Sequence, residues 1–367
     1  TPSNSSAASD VYKRQIQWLA FKRVYGMPFT VTEYNHPAPN TYDAETVVVL
    51  AAYAALQDWD AILLFDYGRL DDWDARRIRG YFDVDQHPAK MATLIPAFMI
   101  FVRGDVEPAR ELIAIRLDRE DEIEMVVEGR VRAWNLPDAG LLGVDTTAPL
   151  VHRVALIVDG KEPPEKSLSP GEVETPPPPA YRSDNGQVTW LYTGNGKGVV
   201  VVNASRTIAV AGFGGGKSFD FGDVVVEPGD SLLEGFSVIA LTVMEGGSFK
   251  EFSRLLLVAV GYVGNTGMVI REYGSGKALL SVVADLGSIK SFKGRVTCSG
   301  DWGKAPTLVE GVPATLKLRA RGSVEVWALD NTGKRTVRVP VSAENGYAVF
   351  TIGPRYKTIW YEVVVKS

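Results

Sequence analysis

A change in hydrophobic pattern near Gly104 constrains the fold of this chain more than any other feature. Beyond Gly104, short segments rich in Val, Ile and Leu alternate with turns made of Gly, Asp and Asn, and helical spacing of apolar residues is absent. Examples of these segments are Glu111 to Leu117, His152 to Val158, Thr207 to Gly212 and Arg254 to Val260. The pattern predicts an all-β region that takes up most of the chain.

Residues 16–104 show a different pattern, in which helix and strand signals alternate. We predict helices over Ile16 to Tyr25, Ala44 to Gln57 and Pro88 to Arg103, and strands over Phe29 to Thr32 and Ala61 to Tyr67. The Ala61 to Tyr67 segment is apolar without polar alternation, which is typical of a strand buried on both faces. The order of elements predicts βα repeats in a parallel sheet.

Four divisions of the chain follow from these patterns. Residues 1–15 lack the apolar stretch of a signal peptide and resemble translated vector sequence, so we expect a non-native leader and a missing native start. Residues 16–104 form the α/β part, and residues 105–292 form a β-sandwich domain with a proline-rich loop at 161–180. Residues 293–367 hold about seven short predicted strands, which indicates a small Ig-like sandwich.

Charge and cysteine content exclude several classes of partner. The formal net charge is −5, and the 39 Lys and Arg residues are scattered, so we expect neither a nucleic-acid nor a membrane partner. Cys298 is the only cysteine, which rules out an intrachain disulfide and a Cys-based metal site. The longest apolar runs fall short of the roughly 20 residues that a membrane-spanning helix needs.

One glycine-rich segment imitates a phosphate-binding loop. Ala211 to Ser218 reads AGFGGGKS, but its first position is Ala, and a strand-and-turn pattern follows it. A phosphate-binding loop depends on the N-terminus of a helix directly after it. We therefore expect a glycine-rich hairpin here and no nucleotide site.

The segment TVTEYN, from Thr30 to Asn35, ends an apolar strand on the carboxylate of Glu33. It resembles the end of the seventh strand in clan A of the retaining glycoside hydrolases, which are (β/α)₈ barrels. The resemblance implies an α/β plus all-β chain: the C-terminal part of a (β/α)₈ barrel in residues 16–104, followed by β-sandwich domains of which the last is Ig-like. Active sites of such barrels lie at the C-terminal ends of the strands, which is where Glu33 stands.

The resemblance implies that Glu33 is the catalytic nucleophile of a double displacement that retains the anomeric configuration. Hydrolysis of O-glycosidic bonds in this way needs no cofactor and no metal. The second carboxylic acid closes strand four in the clan, usually in an Asn-Glu pair, and no residue here matches it. We therefore expect this chain to be inactive without the rest of its parent enzyme. Without that role, Glu33 would only cap or salt-bridge a strand end.

Six further residues are candidates for substrate binding. They are Tyr34, Asn35, His36, Phe65, Tyr67 and Trp73. The first three follow Glu33 and could donate hydrogen bonds to sugar hydroxyls, although Pro37 and Pro39 equally suggest that they shape a rigid loop. The last three carry aromatic rings on which a sugar could stack, and burial in the core is the alternative for Trp73.

Two other functions stay open at this point. The β domains could bind polysaccharide without catalysis, with Trp190, Trp302, Trp327 and Trp360 as available aromatics, or they could have a purely structural role. In the leading hypothesis the partner is an oligosaccharide or polysaccharide substrate. The resemblance leaves a secreted and a periplasmic location open, and it leaves the oligomeric state open.

Overall fold

The computed structural model describes residues 3–4, 15–68, 71–133, 135–192, 196–272, 278–281, 295–298 and 300–366. Strand is the dominant secondary structure over these residues. Most of the predicted non-native leader at 1–15 lies outside them.

The part before the proline-rich loop contains the helices. In chain order its elements are β1 (Ser3–Asn4), α1 (15–20), β2 (Thr30–Tyr34), α2 (Thr46–Leu56), β3 (Ala61–Leu64), α3 (Pro88–Phe101), β4 (Leu112–Arg116), α4 (Arg119–Val127) and β5 (Arg153–Ile157).

In the described residues after the loop the main elements are strands. They are β6 (Ala180–Arg182), β7 (Val188–Leu191), β8 (Val199–Asn203), β9 (Thr207–Phe213), β10 (Phe219–Asp220), β11 (Val224–Pro228), β12 (Phe236–Ser248), β13 (Glu251–Thr266), β14 (Val269–Glu272), β15 (Ala278–Ser281), β16 (Arg295–Thr297), β17 (Lys304–Gly311), β18 (Ala314–Leu318), β19 (Ser323–Leu329), β20 (Arg335–Val339), β21 (Ser342–Glu344), β22 (Tyr347–Ile352) and β23 (Trp360–Lys366).

Two antiparallel sheets form a β-sandwich. The larger has the order β20-β19-β23-β13-β12-β9-β8-β7-β6, with β17 also paired to β13, and the smaller has the order β10-β11-β18-β22-β21. Ile239 and Leu241 of β12 point into the core between these sheets, together with Leu316 and Phe350 from the smaller sheet. A small separate sheet has the order β1-β16-β14-β15.

The other face of the larger sheet is covered by helices. Val238 and Ala240 of β12 belong to this second core, so β12 is apolar at successive positions because both of its faces are buried. Every residue of α2 is buried, as expected for a helix that is apolar on all sides. The Tyr53 ring of α2 lies 5.4 Å from the ring of Trp190 in β7.

The predicted fold class is wrong. Among the described residues, parallel pairing of whole strands is limited to the two-stranded sheets β2-β3 and β4-β5, and the structure does not form the C-terminal part of a (β/α)₈ barrel. The helices pack on an antiparallel sheet, not on a ring of parallel strands. An alternating βα pattern determines local element type, but the surface that covers the helices is supplied by strands distant in sequence.

The Ig-like expectation for the last segment is wrong for a related reason. β18 pairs with β11 in the smaller sheet, and β23 pairs with β13 in the larger sheet. Strands after residue 304 thus complete both sheets of one sandwich with strands from before residue 267. The boundary predicted at 293 separates strands that share hydrogen bonds in both sheets.

Candidate functional site

Glu33 lies on the exposed side of β2, near its C-terminal end. β2 pairs in parallel with β3, and the Phe65 backbone N–H extends this pairing by donating to the Tyr34 carbonyl at 3.1 Å. Over the described residues, no side chain forms a hydrogen bond or an ion pair with the Glu33 carboxylate. Among the described residues, Glu33 therefore has no group to cap or to pair with in a salt bridge. Its carboxylate faces solvent near the end of the paired strands β2 and β3.

The Asn35 side chain is engaged on both of its ends. Its Nδ2 donates to the carbonyl oxygens of Phe65 and Phe82, each at 2.7 Å. Its Oδ1 accepts a hydrogen bond from Lys90 Nζ at 2.7 Å. An amide with these three bonds is poorly placed to bind sugar, and it instead holds the backbone of Phe65 and Phe82 in position.

Tyr34 and His36 lie beneath the surface. Both side chains are buried, and the Tyr34 hydroxyl lies 3.2 Å from His36 Nε2. Burial, with a smaller contribution from Glu45, raises the pKa of Tyr34. Burial, with a smaller contribution from Lys90, lowers the pKa of His36 well below its ordinary value. The two groups therefore support the strand end from below, and neither reaches a ligand on the surface.

A buried ionic cluster, which was not predicted from the sequence, lies behind these residues. Lys90 of α3 is 0% exposed, and besides its bond to Asn35 its Nζ donates to the His36 carbonyl at 2.7 Å and lies 3.8 Å from Asp43 Oδ2. His87 Nε2 lies 3.3 Å from the same carboxylate oxygen. Lys90 is the only charged residue between Pro88 and Phe101. A single charge within an apolar helix is the sequence feature from which a buried ionic contact could have been predicted.

The predicted aromatic residues are exposed. Phe65 is 40%, Tyr67 54% and Trp73 52% exposed, and the rings of Tyr67 and Trp73 lie 6.3 Å apart. Burial of Trp73 in the core, the alternative considered above, is thus not what the structure shows. Tyr81, which was not among the predicted residues, is 40% exposed, and its ring lies 6.5 Å from that of Phe82, which in turn lies 5.3 Å from Phe65.

An ionic network fixes the loop that carries these aromatics. The buried guanidinium of Arg79 donates from Nε to Asp83 at 3.0 Å and from NH2 to Asp85 at 2.8 Å. The Asp85 backbone N–H in turn donates to the Tyr67 carbonyl at 2.7 Å. Bidentate and charge-assisted bonds of this kind hold a backbone firmly, so the backbone at Tyr67 is tied to the Arg79 network.

Trp190 and Trp327 of the sandwich do not form a comparable surface. Trp190 is fully buried, and Trp327 lies beneath Arg335 and Arg338, whose guanidinium carbons are 5.6 Å and 6.0 Å from its ring. A cleft of about 680 Å³ lies elsewhere, lined by residues that include Leu232, Glu310 and Pro354, but neither Glu33 nor the exposed aromatics line it.

Metal-binding clusters and membrane-spanning helices are not found in the described part of the chain. No group of three or more His, Cys, Asp or Glu residues there is arranged to hold a metal ion. No helix among the same residues has the length and apolar character needed to cross a membrane. The sequence matches no protein-family model, and no curated protein matches it.

Proposed function

We propose that this chain belongs to a retaining glycoside hydrolase and that Glu33 is its nucleophile. One observation carries the proposal: an exposed carboxylate without a protein partner among the described residues lies near the end of β2, and the exposed Phe65 directly follows β3, the strand paired in parallel with β2. Aromatic side chains offer an apolar face for the ring of a sugar and polar tips for its hydroxyls. A carboxylate is the nucleophile that retaining glycosidases use.

The chemistry proceeds in two displacements. A Glu33 oxygen attacks the anomeric carbon, the bond from that carbon to the leaving oxygen breaks, and a covalent glycosyl-enzyme forms. Water then attacks the same carbon from the opposite face and regenerates the carboxylate. A second carboxylic acid, about 5–5.5 Å from the first, protonates the leaving oxygen and later deprotonates the water. We assign no residue of this chain to that second role.

Mechanism-based labelling tests the nucleophile separately from the missing acid. Dinitrophenyl glycosides with fluorine next to the anomeric carbon need no acid, because dinitrophenolate leaves as a stable anion with the electron pair of the broken bond. We expect one glycosyl group to attach to the 367-residue chain, located by peptide mapping at Glu33. Glucosyl, galactosyl and mannosyl reagents are compared.

Two variants control this experiment. Glu33→Gln should abolish labelling while changing the free energy of unfolding by no more than about 0.5 kcal/mol, since an exposed side chain without partners contributes little to stability. Glu251→Gln removes an exposed carboxylate at the start of β13 and should leave labelling intact. Labelling that persists in Glu33→Gln would remove the nucleophile assignment.

Carbohydrate binding without catalysis is a second candidate, and the exposure of Tyr67 and Trp73 favours it independently of Glu33. In that case the chain binds oligosaccharides, and Trp73→Ala weakens binding, but no fluoroglycoside labels the protein.

A further inference from the structure

Four aromatic rings form a continuous series that begins at Phe65, directly after β3. We name this series the aromatic ridge; it consists of Phe65, Phe82, Tyr81 and Trp302. Successive ring centroids along it are 5.3, 6.5 and 5.3 Å apart. Its first member, Phe65, is bonded through its backbone to Tyr34, the residue after Glu33. Its last member comes from the β region, more than 200 positions later in the sequence.

The ridge is held by backbone bonds that do not involve its rings. The Tyr81 carbonyl accepts a bond from the Ala38 N–H at 2.7 Å, and the Phe82 carbonyl accepts from Asn35 and from the Asp66 N–H. The rings of Phe65 and Tyr81 thus remain available, each 40% exposed, whereas Phe82 and Trp302 are partly buried. A surface fixed in this way loses little conformational entropy when a ligand binds.

A buried asparagine joins the two halves of the ridge. Asn265 of β13 is 0% exposed, and its Nδ2 donates to the Ile78 carbonyl at 2.7 Å and to the Trp302 carbonyl at 2.8 Å. Its Oδ1 accepts from the Ile78 N–H at 2.9 Å. One amide therefore positions the loop that carries Tyr81 against the segment that carries Trp302.

We infer that Tyr81 and Trp302 form a second sugar-binding subsite and that the substrate is an oligosaccharide or polysaccharide with several units in contact at once. The inference rests on the proposed function and extends it. A monosaccharide at Glu33 would contact only the Phe65 end of the ridge, whereas a longer glycan can also stack on the Tyr81 and Trp302 end. The β region then contributes directly to substrate recognition.

The test measures how binding by the full chain depends on glycan length. The probes are β-linked gluco-, manno-, galacto- and xylo-oligosaccharides from disaccharide to hexasaccharide, titrated by calorimetry. We expect the dissociation constant to fall with length in one series, and Tyr81→Ala to weaken hexasaccharide binding by about tenfold, within the range of a lost aromatic contact. Disaccharide binding should stay unchanged.

Matched variants separate recognition from folding. Trp302→Ala should repeat the loss seen with Tyr81→Ala, and Trp302→Phe should restore most of it. Trp327→Ala, which removes another half-buried tryptophan from the sandwich, should leave the length dependence intact. Tyr81→Ala keeps the backbone bonds of the ridge, so it remains informative if Trp302→Ala does not fold.

The outcomes distinguish this inference from the proposed function. Affinity that does not depend on length, or length dependence that survives both Tyr81→Ala and Trp302→Ala unchanged, overturns the second subsite while Glu33 labelling can still succeed. If Trp302→Ala does not fold, unchanged length dependence in Tyr81→Ala has the same meaning. Absence of binding in all four series overturns the inference, and absence of Glu33 labelling then overturns the proposed function as well.

Discussion

At the scale of single residues, the surface chemistry of this site depends on groups beneath it. Asn35 orients the backbone of two aromatic residues, and it is itself held by Lys90. Removing the partner of a buried charge lowers the free energy of unfolding by more than the lost bond contributes, because the remaining charge is buried without solvent or a partner. Substitution of the exposed Glu33 is therefore expected to change stability little, whereas substitution of the buried Lys90 is expected to lower it.

Because two histidines are buried, we expect the free energy of unfolding to decrease in mild acid. Burial lowers the pKa of His36 and of His87 below the ordinary value of 6.5, so the unfolded chain binds these protons more tightly than the folded chain. Their contribution is complete above pH 6.5 and is lost as the pH falls below it. Each histidine can contribute a slope of up to about 1.4 kcal/mol per pH unit.

Urea unfolding at several pH values between about 6.5 and 5 measures this slope. His36→Gln should reduce the slope, and the double variant His36→Gln, His87→Gln should reduce it further; slopes are compared, not absolute stabilities. A slope equal to that of the wild type in the double variant would contradict the assignment.

At the scale of elements, the glycine-rich segment shows why a motif needs its context. Gly214 to Gly216 connect β9 of the larger sheet to β10 of the smaller sheet, so the segment is a crossover and not the hairpin expected. A Cβ on Gly215 would lie 2.5 Å from the Cα of Gly235 and 3.0 Å from the Gly229 carbonyl. The glycines permit close approach of two backbones.

This close approach predicts the effect of adding one methyl group. Gly215→Ala should lower the free energy of unfolding by about 1–3 kcal/mol or more, as overpacking does against immobile backbone. Gly140→Ala is the matched control, since a methyl group there would have no described atom within 4 Å, and it should be neutral or slightly stabilising. Equal effects in chemical denaturation would contradict the packing explanation.

Local elements were predictable because their signals are local. The helices near Ala44 and Pro88 and the strands near Phe29 and Ala61 were each found within a few residues of their observed positions, and the His87 side chain accepts the helix-capping bond from the Lys90 N–H. Helix α4 was missed because its sequence, REDEIEMVV, is dominated by acidic residues and buries only Met125.

Sheet membership and the buried part of the site were not predictable in the same way. β23 pairs with β13 across about a hundred residues, and nothing within either segment specifies the other. Glu33 was predicted from its position at a strand end and from the clan A resemblance, and the aromatic candidates from their residue type. Tyr81, Trp302 and Asn265 come together only through the tertiary fold.

At the scale of the whole molecule, the two sequence regions share one continuous core. Tyr42, just before α2, places its ring 5.5 Å from Phe213 and 4.9 Å from Phe236 in the larger sheet. A helical layer with such contacts is not an independent unit, because its removal would expose one full face of the larger sheet.

Cutting the chain in the proline-rich loop tests this unity. A site-specific protease sequence inserted between Gly160 and Lys161, both exposed, would yield two pieces after cleavage. We expect them to co-elute in size-exclusion chromatography and to unfold in a single transition, as the uncut protein does, because the apolar surfaces of each are covered by the other. Separate elution of two folded pieces would show independent domains.

The burial of α2 on all sides has a consequence for synthesis of this protein on the ribosome. Its apolar surface is covered in part by β7 and β9, which are translated about 130–160 residues later. At about 5–20 residues per second, the helix would wait roughly 7–30 s for these strands. The apolar surface of α2 is thus exposed on the nascent chain throughout this interval. During that time chaperone binding would compete with aggregation.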